Sequence, residues 1–87
     1  MPITAADVTQ AIAATMDEYA SLGPEQSFVE ADIDSLSLVE AAVILTNRFG
    51  VRVDEYELAE AGTASATAQL IQSRLDALRR TPTIAAS

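Results

Sequence analysis

The chain has 87 residues, of which 49% are apolar and 21% charged, and its formal net charge is −8. This length allows at most one domain, and this composition excludes a disordered chain. Because the chain has neither Cys nor His, it cannot by itself form a disulfide, a thiolate metal site, a zinc hydrolase centre or a Ser-His-Asp triad.

The first helix is predicted at about residues 4–20. Thr4 and Asp7 have the spacing of a hydroxyl cap followed by an acid, and Gly23-Pro24 provides the stop. Between these two signals the apolar residues recur at helical spacing: Val8, Ile12, Met16 and Tyr19.

A long connection without clear periodicity follows at residues 21–34. Phe28 and Ile33 are its apolar anchors. A loop of this length in a compact domain is often functional, so the connection is a candidate part of the site.

The second helix is predicted at about residues 35–49, and Gly50 fits the left-handed turn that ends a helix. One of its faces should enter the core: Leu38, Ala41, Ala42, Leu45 and Phe49. A second apolar line is rotated away from this face and comprises Leu36, Val39 and Val43. Two interpretations of that line stay open, because a central helix would bury it and a peripheral helix would expose it for docking.

Two further helices are predicted in the last part of the chain. Asp54 and Glu57 form a capping pair in front of a short helix, which Gly62 ends. Thr63 caps the final helix, at about residues 64–79. Its inward positions are Ala68, Ile71, Leu75 and Leu78.

These patterns predict an all-α fold, a four-helix bundle with three long helices, one short helix and a long loop between helices one and two. We assign residues 1–80 to the domain and residues 81–87 to a flexible tail. The sequence has no apolar run long enough to span a membrane and no basic-then-apolar N-terminus, so we expect no signal peptide and a cytoplasmic location.

The charge is divided unequally. Residues 1–60 hold twelve acids and two arginines, whereas residues 61–87 hold one acid and three arginines. This acidity disfavours nucleic acid and anionic membranes as ligands and favours partners with basic docking surfaces. The alternative interpretation is that the acidic surface only keeps the protein soluble. Asp32, Asp34 and Glu40 resemble a calcium loop poorly, because the third acid position is apolar and the turn glycine is absent.

Two serines stand where the loop becomes the second helix, and they allow two interpretations. In the first, Ser37 and Glu40 form a capping box and Ser35 is ordinary loop. In the second, Asp34 is the N-cap and Ser35 the first helical residue. Ser35 would then be exposed at a helix N-terminus, where free N–H groups and the helix dipole favour an anion such as a phosphate ester.

The segment from Phe28 to Glu40 resembles the phosphopantetheine attachment motif of acyl carrier proteins. That motif reads roughly Phe-x-Asp/Glu-Leu-Gly-x-Asp-Ser-Leu and continues into an apolar helix with a Glu. The matching positions are Phe28, Glu30, Asp34, Ser35, Leu36, Val39, Glu40, Phe49 and Gly50. The order of the predicted helices matches the family over nearly the whole chain. The chain departs from the family at Ala31-Asp32, where relatives usually have Leu-Gly, and at Thr46-Asn47-Arg48, where many relatives carry acids.

The resemblance implies a covalent 4′-phosphopantetheine group, moved from coenzyme A onto Ser35 by a phosphopantetheinyl transferase. Asp34 and Leu36 would flank the site and help the transferase to recognise it. The thiol of the group would hold acyl intermediates as thioesters, so the protein would be a carrier and not an enzyme. A ketosynthase, an acyltransferase and other acyl-processing enzymes would dock on an apolar and acidic surface: Leu36, Val39, Glu40, Val43, Asp54, Glu55, Glu57 and Glu60.

The leading hypothesis is a discrete, monomeric carrier that serves polyketide or related secondary-metabolite assembly. A primary fatty-acid carrier and a peptidyl or aminoacyl carrier stay open, because they share the fold and the attachment chemistry. A hypothesis of another class is a small acidic helical adaptor without a covalent group, in which Ser35 only starts a helix and the apolar line binds a partner helix. The space between the second helix and its neighbours is a candidate shelter for the acyl chain.

Overall fold

The computed structural model describes residues 2–80. Its elements are α1 (Ala5–Ala13), a 3-10 helix (Asp17–Tyr19), α2 (Ser35–Phe49), α3 (Glu55–Ala61) and α4 (Ala64–Arg80). No strand occurs in this range, and the all-α bundle predicted from the sequence is confirmed. The predicted flexible tail, residues 81–87, lies outside the described residues.

The first helix begins as predicted but ends earlier. Thr4 and Asp7 form a capping box, in which the Thr4 hydroxyl accepts from the Asp7 N–H and the Asp7 carboxylate accepts from the Thr4 N–H. The predicted extent, residues 4–20, is wrong because α1 ends at Ala13 and a turn and the 3-10 helix follow. Met16 is nevertheless buried and Tyr19 half-buried. In a 3-10 turn residues three apart share a face, so the apolar spacing does not distinguish this geometry from a continued α-helix.

The second and third helices have the predicted ends. Gly50 and Gly62 follow α2 and α3 with φ of 74° and 80°, the left-handed conformation that favours glycine. At the start of α3, Asp54 and Glu57 form the predicted capping box. Thr46 ties α2 to the linker before α3, because its hydroxyl donates to the Val53 carbonyl and accepts from the Val53 N–H, both at 3.1 Å.

The core forms where α1 packs against α2 and α4, and α3 packs against α2 and α4. Its largest fully buried side chains are Val8, Ile12, Leu45, Leu58, Thr67 and Ile71. Thr67 is accommodated because its hydroxyl donates to the Thr63 carbonyl at 2.8 Å. The predicted inward position of Leu78 is wrong, since 54% of this side chain is exposed. The Ile3 N–H donates to the Gln72 side chain on α4 at 2.7 Å.

Candidate functional site

The start of α2 has one of the two geometries that the sequence left open. Asp34 is the N-cap, and its carboxylate accepts from the Ser37 N–H at 2.8 Å. Ser35 is therefore the first helical residue, and Ser37 lies within the first turn instead of capping it. The helix starts here because an Asx side chain at the N-cap satisfies one of the N–H groups that have no partner within the helix.

Ser35 itself is exposed, and among the described residues its hydroxyl makes no hydrogen bond. The N–H groups of Ser35 and Leu36 also find no acceptor within that part of the chain. These two groups point out of the N-terminal end of α2, where the helix dipole is positive. A hydroxyl at this position is open to an approaching enzyme, and an anion attached to it would lie beside two free N–H donors.

The neighbouring Asp34 is fixed by Ser37 and, one step further, by Tyr19. Hydrogen bonds from the backbone and then the side chain of Ser37 hold the pKa of Asp34 below its ordinary value, although the partial desolvation acts the other way. The Tyr19 hydroxyl donates to the Ser37 hydroxyl across 3.4 Å. A serine hydroxyl can accept from one group and donate to another, so Ser37 can serve both neighbours at once. Sequence reasoning missed this role of Tyr19, which it treated as part of a helical stripe.

The loop in front of Ser35 is shaped by an unusual backbone at Asp32. This residue has φ of 59°, the one left-handed position besides glycine in the described chain. The motif that this segment resembles has Gly at this position, and Asp can keep the turn because a short polar side chain tolerates the left-handed region better than most. The rest of the loop is anchored, since Phe28 is buried and its N–H donates to the Gly62 carbonyl at 2.8 Å.

The second apolar line of α2 is exposed and borders a groove. Leu36, Val39 and Val43 are 74%, 40% and 55% exposed, so α2 is not buried on both sides. We call the depression between α2 and the segment leading into α3 the α2–α3 groove; it has a volume of about 310 Å³. Its lining brings together four of the predicted docking residues and one basic residue: Val39, Val43, Asp54, Glu55 and Arg52.

The other predicted docking residues are distributed differently. Glu40 is exposed on α2 but does not line the groove. Glu57 and Glu60 border a second depression, between α3 and α4. There both carboxylate oxygens of Glu57 accept from the Arg74 guanidinium. This ion pair, foremost through its hydrogen bonds, lowers the pKa of Glu57 from 4.5 to about 2. Glu57 and Glu60 thus lie outside the α2–α3 groove, and the negative charge of Glu57 is paired with the positive charge of Arg74.

A small apolar space lies inside the bundle, beneath the start of α2. Its volume is about 10 Å³, close to the room that one water molecule needs. The residues around it come from all parts of the fold except α4: Ile12, Met16, Tyr19, Phe28, Ile33, Leu38, Ala41 and Leu58. In the described part of the chain no group of three or more acidic side chains is placed to hold a metal ion. No helix there is long and apolar enough to cross a membrane.

Comparison with known proteins gives a consistent result. Residues 6–71 match the family profile described as "Phosphopantetheine attachment site". The chain is 36% identical over 78 residues to the "Meromycolate extension acyl carrier protein" of Mycobacterium bovis, covering 83% of this chain and 68% of that protein. It is also 36% identical over 72 residues to the "Acyl carrier protein" of Thermobifida fusca, covering 76% of this chain and 91% of that protein. No solved structure matches.

The match to the profile extends from α1 to the middle of α4, and so includes the loop, the exposed serine and the groove. The relatives are carrier proteins by name, and their similarity covers 83% and 76% of this chain. The chain therefore belongs to the acyl carrier protein family, and holds acyl groups on a covalently attached 4′-phosphopantetheine.

Proposed function

We propose that Ser35 is the residue that carries 4′-phosphopantetheine. The observation that supports it most is the exposed hydroxyl at the first position of α2, free of hydrogen bonds to the described chain and preceded by the N-cap Asp34. The only other serine in this turn, Ser37, is half-buried and bonded to its neighbours. The free N–H groups of Ser35 and Leu36 fit the negative charge of a phosphodiester at this place.

The chain's own part in the attachment is small. The Ser35 oxygen bonds to the phosphorus of the pantetheine phosphate as the pyrophosphate bond of coenzyme A breaks. The nucleotide part leaves with the bridging oxygen as its terminal phosphate, and the transferase takes up the hydroxyl proton. Asp34 keeps the first turn of α2 wound so that Ser35 stays at the surface. When attached, the group supplies a thiol on a flexible arm that holds acyl chains as thioesters. We propose that the chain catalyses no step and instead raises the effective concentration of its cargo at each partner.

The proposed partners are a phosphopantetheinyl transferase, a ketosynthase and an acyltransferase. Exposed apolar side chains with acids beside them support docking along α2 and the start of α3 by enzymes with basic surfaces. The residues that we propose for this surface are Leu36, Val39, Glu40, Val43, Asp54 and Glu55. Glu57 has its charge paired with Arg74, so we give it a structural role, and Glu60 lies outside the groove. We further propose a cytoplasmic monomer whose carrier unit is residues 1–80.

The attachment is tested by incubating the full chain with coenzyme A and a broad-specificity phosphopantetheinyl transferase, followed by intact mass measurement. We expect one added group in the wild type and in Ser37→Ala, and none in Ser35→Ala. An unmodified wild type would support the alternative of a helical adaptor without a covalent group. An added group that survives Ser35→Ala would move the site to another residue.

The pathway is a separate proposal. The sequence departures at Asp32 and at residues 46–48 suggested polyketide or related secondary metabolism, whereas relatives at 36% identity are named for meromycolate extension. We therefore keep a second candidate, the extension of long fatty acyl chains. Loading the modified protein with a long saturated acyl chain and with a short β-ketoacyl chain separates the two. Preferential elongation of the saturated chain by a ketosynthase of a mycobacterial extension system favours the fatty-acid candidate, and preferential use of the β-ketoacyl chain by a polyketide ketosynthase favours the other.

A further inference from the structure

Arg74 on α4 makes more polar contacts with other elements than any other side chain in the described residues. Its two terminal nitrogens donate to both carboxylate oxygens of Glu57, the Nη1–Oε1 contact being 2.7 Å. Nη1 also donates to the Arg52 backbone carbonyl at 2.5 Å. An arginine fork that holds a carboxylate by two bonds fixes orientation as well as distance.

These contacts continue from Arg74 to the α2–α3 groove. Glu57 Oε1 also accepts from the Asp54 N–H at 3.1 Å, and Asp54 Oδ1 accepts in return from the Glu57 N–H at 3.0 Å. Asp54 and Arg52 both line the groove, together with Glu55. Arg74 itself does not line the groove. Arg74 thus holds two of the charged residues that line the groove on its α3 side. It contacts Arg52 directly and Asp54 through Glu57.

Besides the contacts of Arg74, two sets of hydrogen bonds hold the ends of the α3 segment: those of the Thr46 hydroxyl with Val53, and that of the Phe28 N–H with the Gly62 carbonyl. The helix has seven residues, too few to be stable alone, and Leu58 is its one buried side chain. The linker in front of it adds the buried Val51 and Val53. Left-handed glycines, Gly50 and Gly62, bracket the whole segment. The clamp formed by Arg74 and Glu57 is the one ion pair among the described residues that joins α3 to α4, and it acts between these held ends. It therefore contributes to where Asp54 and Glu55 stand relative to α2.

We infer that Arg74 is a positioning residue for partner recognition: from outside the α2–α3 groove it sets the arrangement of the charges on the α3 side of that groove. The inference rests on the proposed docking of partner enzymes along α2 and α3. It adds Arg74, which lies outside the groove, to the residues that determine the surface presented to partners.

The test uses the full chain and measures kcat and KM for its modification at Ser35 by a phosphopantetheinyl transferase with coenzyme A. We expect Arg74→Gln to raise KM for the carrier on the order of three- to tenfold, with kcat nearly unchanged. Glu57→Gln should have a similar effect, because Gln keeps the capping box but loses the ion pair. The double variant should be no worse than either single variant, since both remove the same contact. Arg74→Lys should be intermediate.

Two control variants on the same helix separate the loss of the clamp from a loss of charge and from a loss of stability. Arg79→Gln removes the same charge from an exposed side chain, whose only ion pair within the described residues is at 3.9 Å to Asp76, and should leave KM unchanged. Ile71→Val lowers the stability from a fully buried position without touching the clamp, and should also leave KM unchanged at a temperature where all variants are folded. Hydrogen exchange should be faster in the α3 amides of Arg74→Gln but not selectively in Ile71→Val.

The outcomes separate this inference from the proposed function. A wild type that is not modified refutes the attachment at Ser35 and the inference with it. A wild type that is modified, with the same KM in Arg74→Gln, refutes the inference alone. A KM that rises equally in Arg74→Gln, Arg79→Gln and Ile71→Val also refutes it, because net charge or stability would then account for the effect.

Discussion

At the scale of single residues, the first turn of α2 gives two serines different surroundings. Ser35 faces solvent, whereas Ser37 joins Asp34 to Tyr19 through hydrogen bonds. The sequence offered both a cap at Asp34 and a capping box from Ser37 to Glu40, and local preferences do not separate them because each satisfies N–H groups of the first turn. In the structure with the Asp34 cap, the Ser37 hydroxyl accepts from Tyr19, which is sixteen positions before Ser35 and meets Ser37 only in the folded chain.

We expect Ser37→Ala to raise the pKa of Asp34 toward its ordinary value, without restoring it fully. The variant removes the hydrogen bond from the Ser37 side chain but keeps the stronger contribution from its backbone N–H. A titration of the Asp34 carboxyl carbon by NMR measures the change, and Tyr19→Phe is the matched variant that leaves Ser37 in place. An unchanged Asp34 pKa in Ser37→Ala contradicts the prediction.

A second residue-scale prediction concerns the left-handed backbone of Asp32. Asp32→Val should lower the free energy of unfolding by about 1–2 kcal/mol, because a β-branched side chain is strained at positive φ. Asp32→Gly should remain within about 1 kcal/mol of the wild type, since glycine adopts this φ freely but loses more chain entropy on folding. Urea unfolding gives both values.

Asp32→Asn is the control for charge, because it removes the carboxylate but keeps a side chain that tolerates the left-handed region. If Asn were as destabilising as Val, the charge and not the backbone would explain the effect.

At the scale of elements, the sequence predicted the helices with strong end signals best. Asp54 with Glu57 and the glycines at 50 and 62 fix α2 and α3 through local chemistry, and both helices have the predicted ends. The errors lie where no local signal exists. Nothing in the sequence marks Ala13 as the end of α1, and the helical spacing that placed Leu78 inward does not show how far along α4 the other helices extend.

The candidate site shows the same division. Helix periodicity gave the second apolar line on α2 but left open whether it is exposed, and the resemblance to a known motif, not periodicity, pointed to Ser35 and Asp34. They did not reveal that Glu57 is paired, since its partner Arg74 is seventeen residues away on another helix. They also did not identify Arg52 as part of the groove. Contacts between distant elements depend on packing, which periodicity does not specify.

The ion pair between α3 and α4 gives an element-scale prediction. The pKa of Glu57 is lower in the folded chain, so folding gains stability from its ionised form at pH values above 4.5. That contribution is lost as the pH falls from 4.5 through about 2. Glu57→Gln should therefore be less stable than the wild type near neutral pH and approach it in acid. The measurement is urea unfolding across this range.

Glu55→Gln is the matched control, since it removes a charge from the same turn without touching Arg74. The difference in unfolding free energy between wild type and Glu57→Gln should become smaller as the pH falls. The corresponding difference for Glu55→Gln should not show this dependence on pH. A Glu57→Gln difference that is constant over the whole range contradicts the assignment of the ion pair as a stabilising contact.

At the scale of the whole molecule, the first sixty residues hold twelve of the thirteen acids. Charges of one sign on a small folded surface repel each other, and this repulsion is screened by salt over about 8 Å at physiological ionic strength. We expect the melting temperature to rise by a few degrees between low and moderate salt. Calorimetry in both buffers measures it, and a flat or falling melting temperature contradicts the prediction.

Asn47→Glu is the informative variant here, because it adds another acid at an exposed position of α2. It should enlarge the rise with salt, whereas Asn47→Gln should not. Salt also weakens the ion pair between Arg74 and Glu57, which lowers the melting temperature. The observed rise in melting temperature is therefore the gain from reduced repulsion minus this loss.

The exposed line of Leu36, Val39 and Val43 also bears on how copies of the protein behave toward each other. An exposed aliphatic patch normally promotes aggregation. Here electrostatic repulsion between strongly anionic molecules opposes it. That protection vanishes where the chain carries no net charge, near pH 4.1. Aggregation, measured as turbidity, should therefore begin at the lowest protein concentration near that pH. Val43→Thr should raise the protein concentration at which turbidity appears.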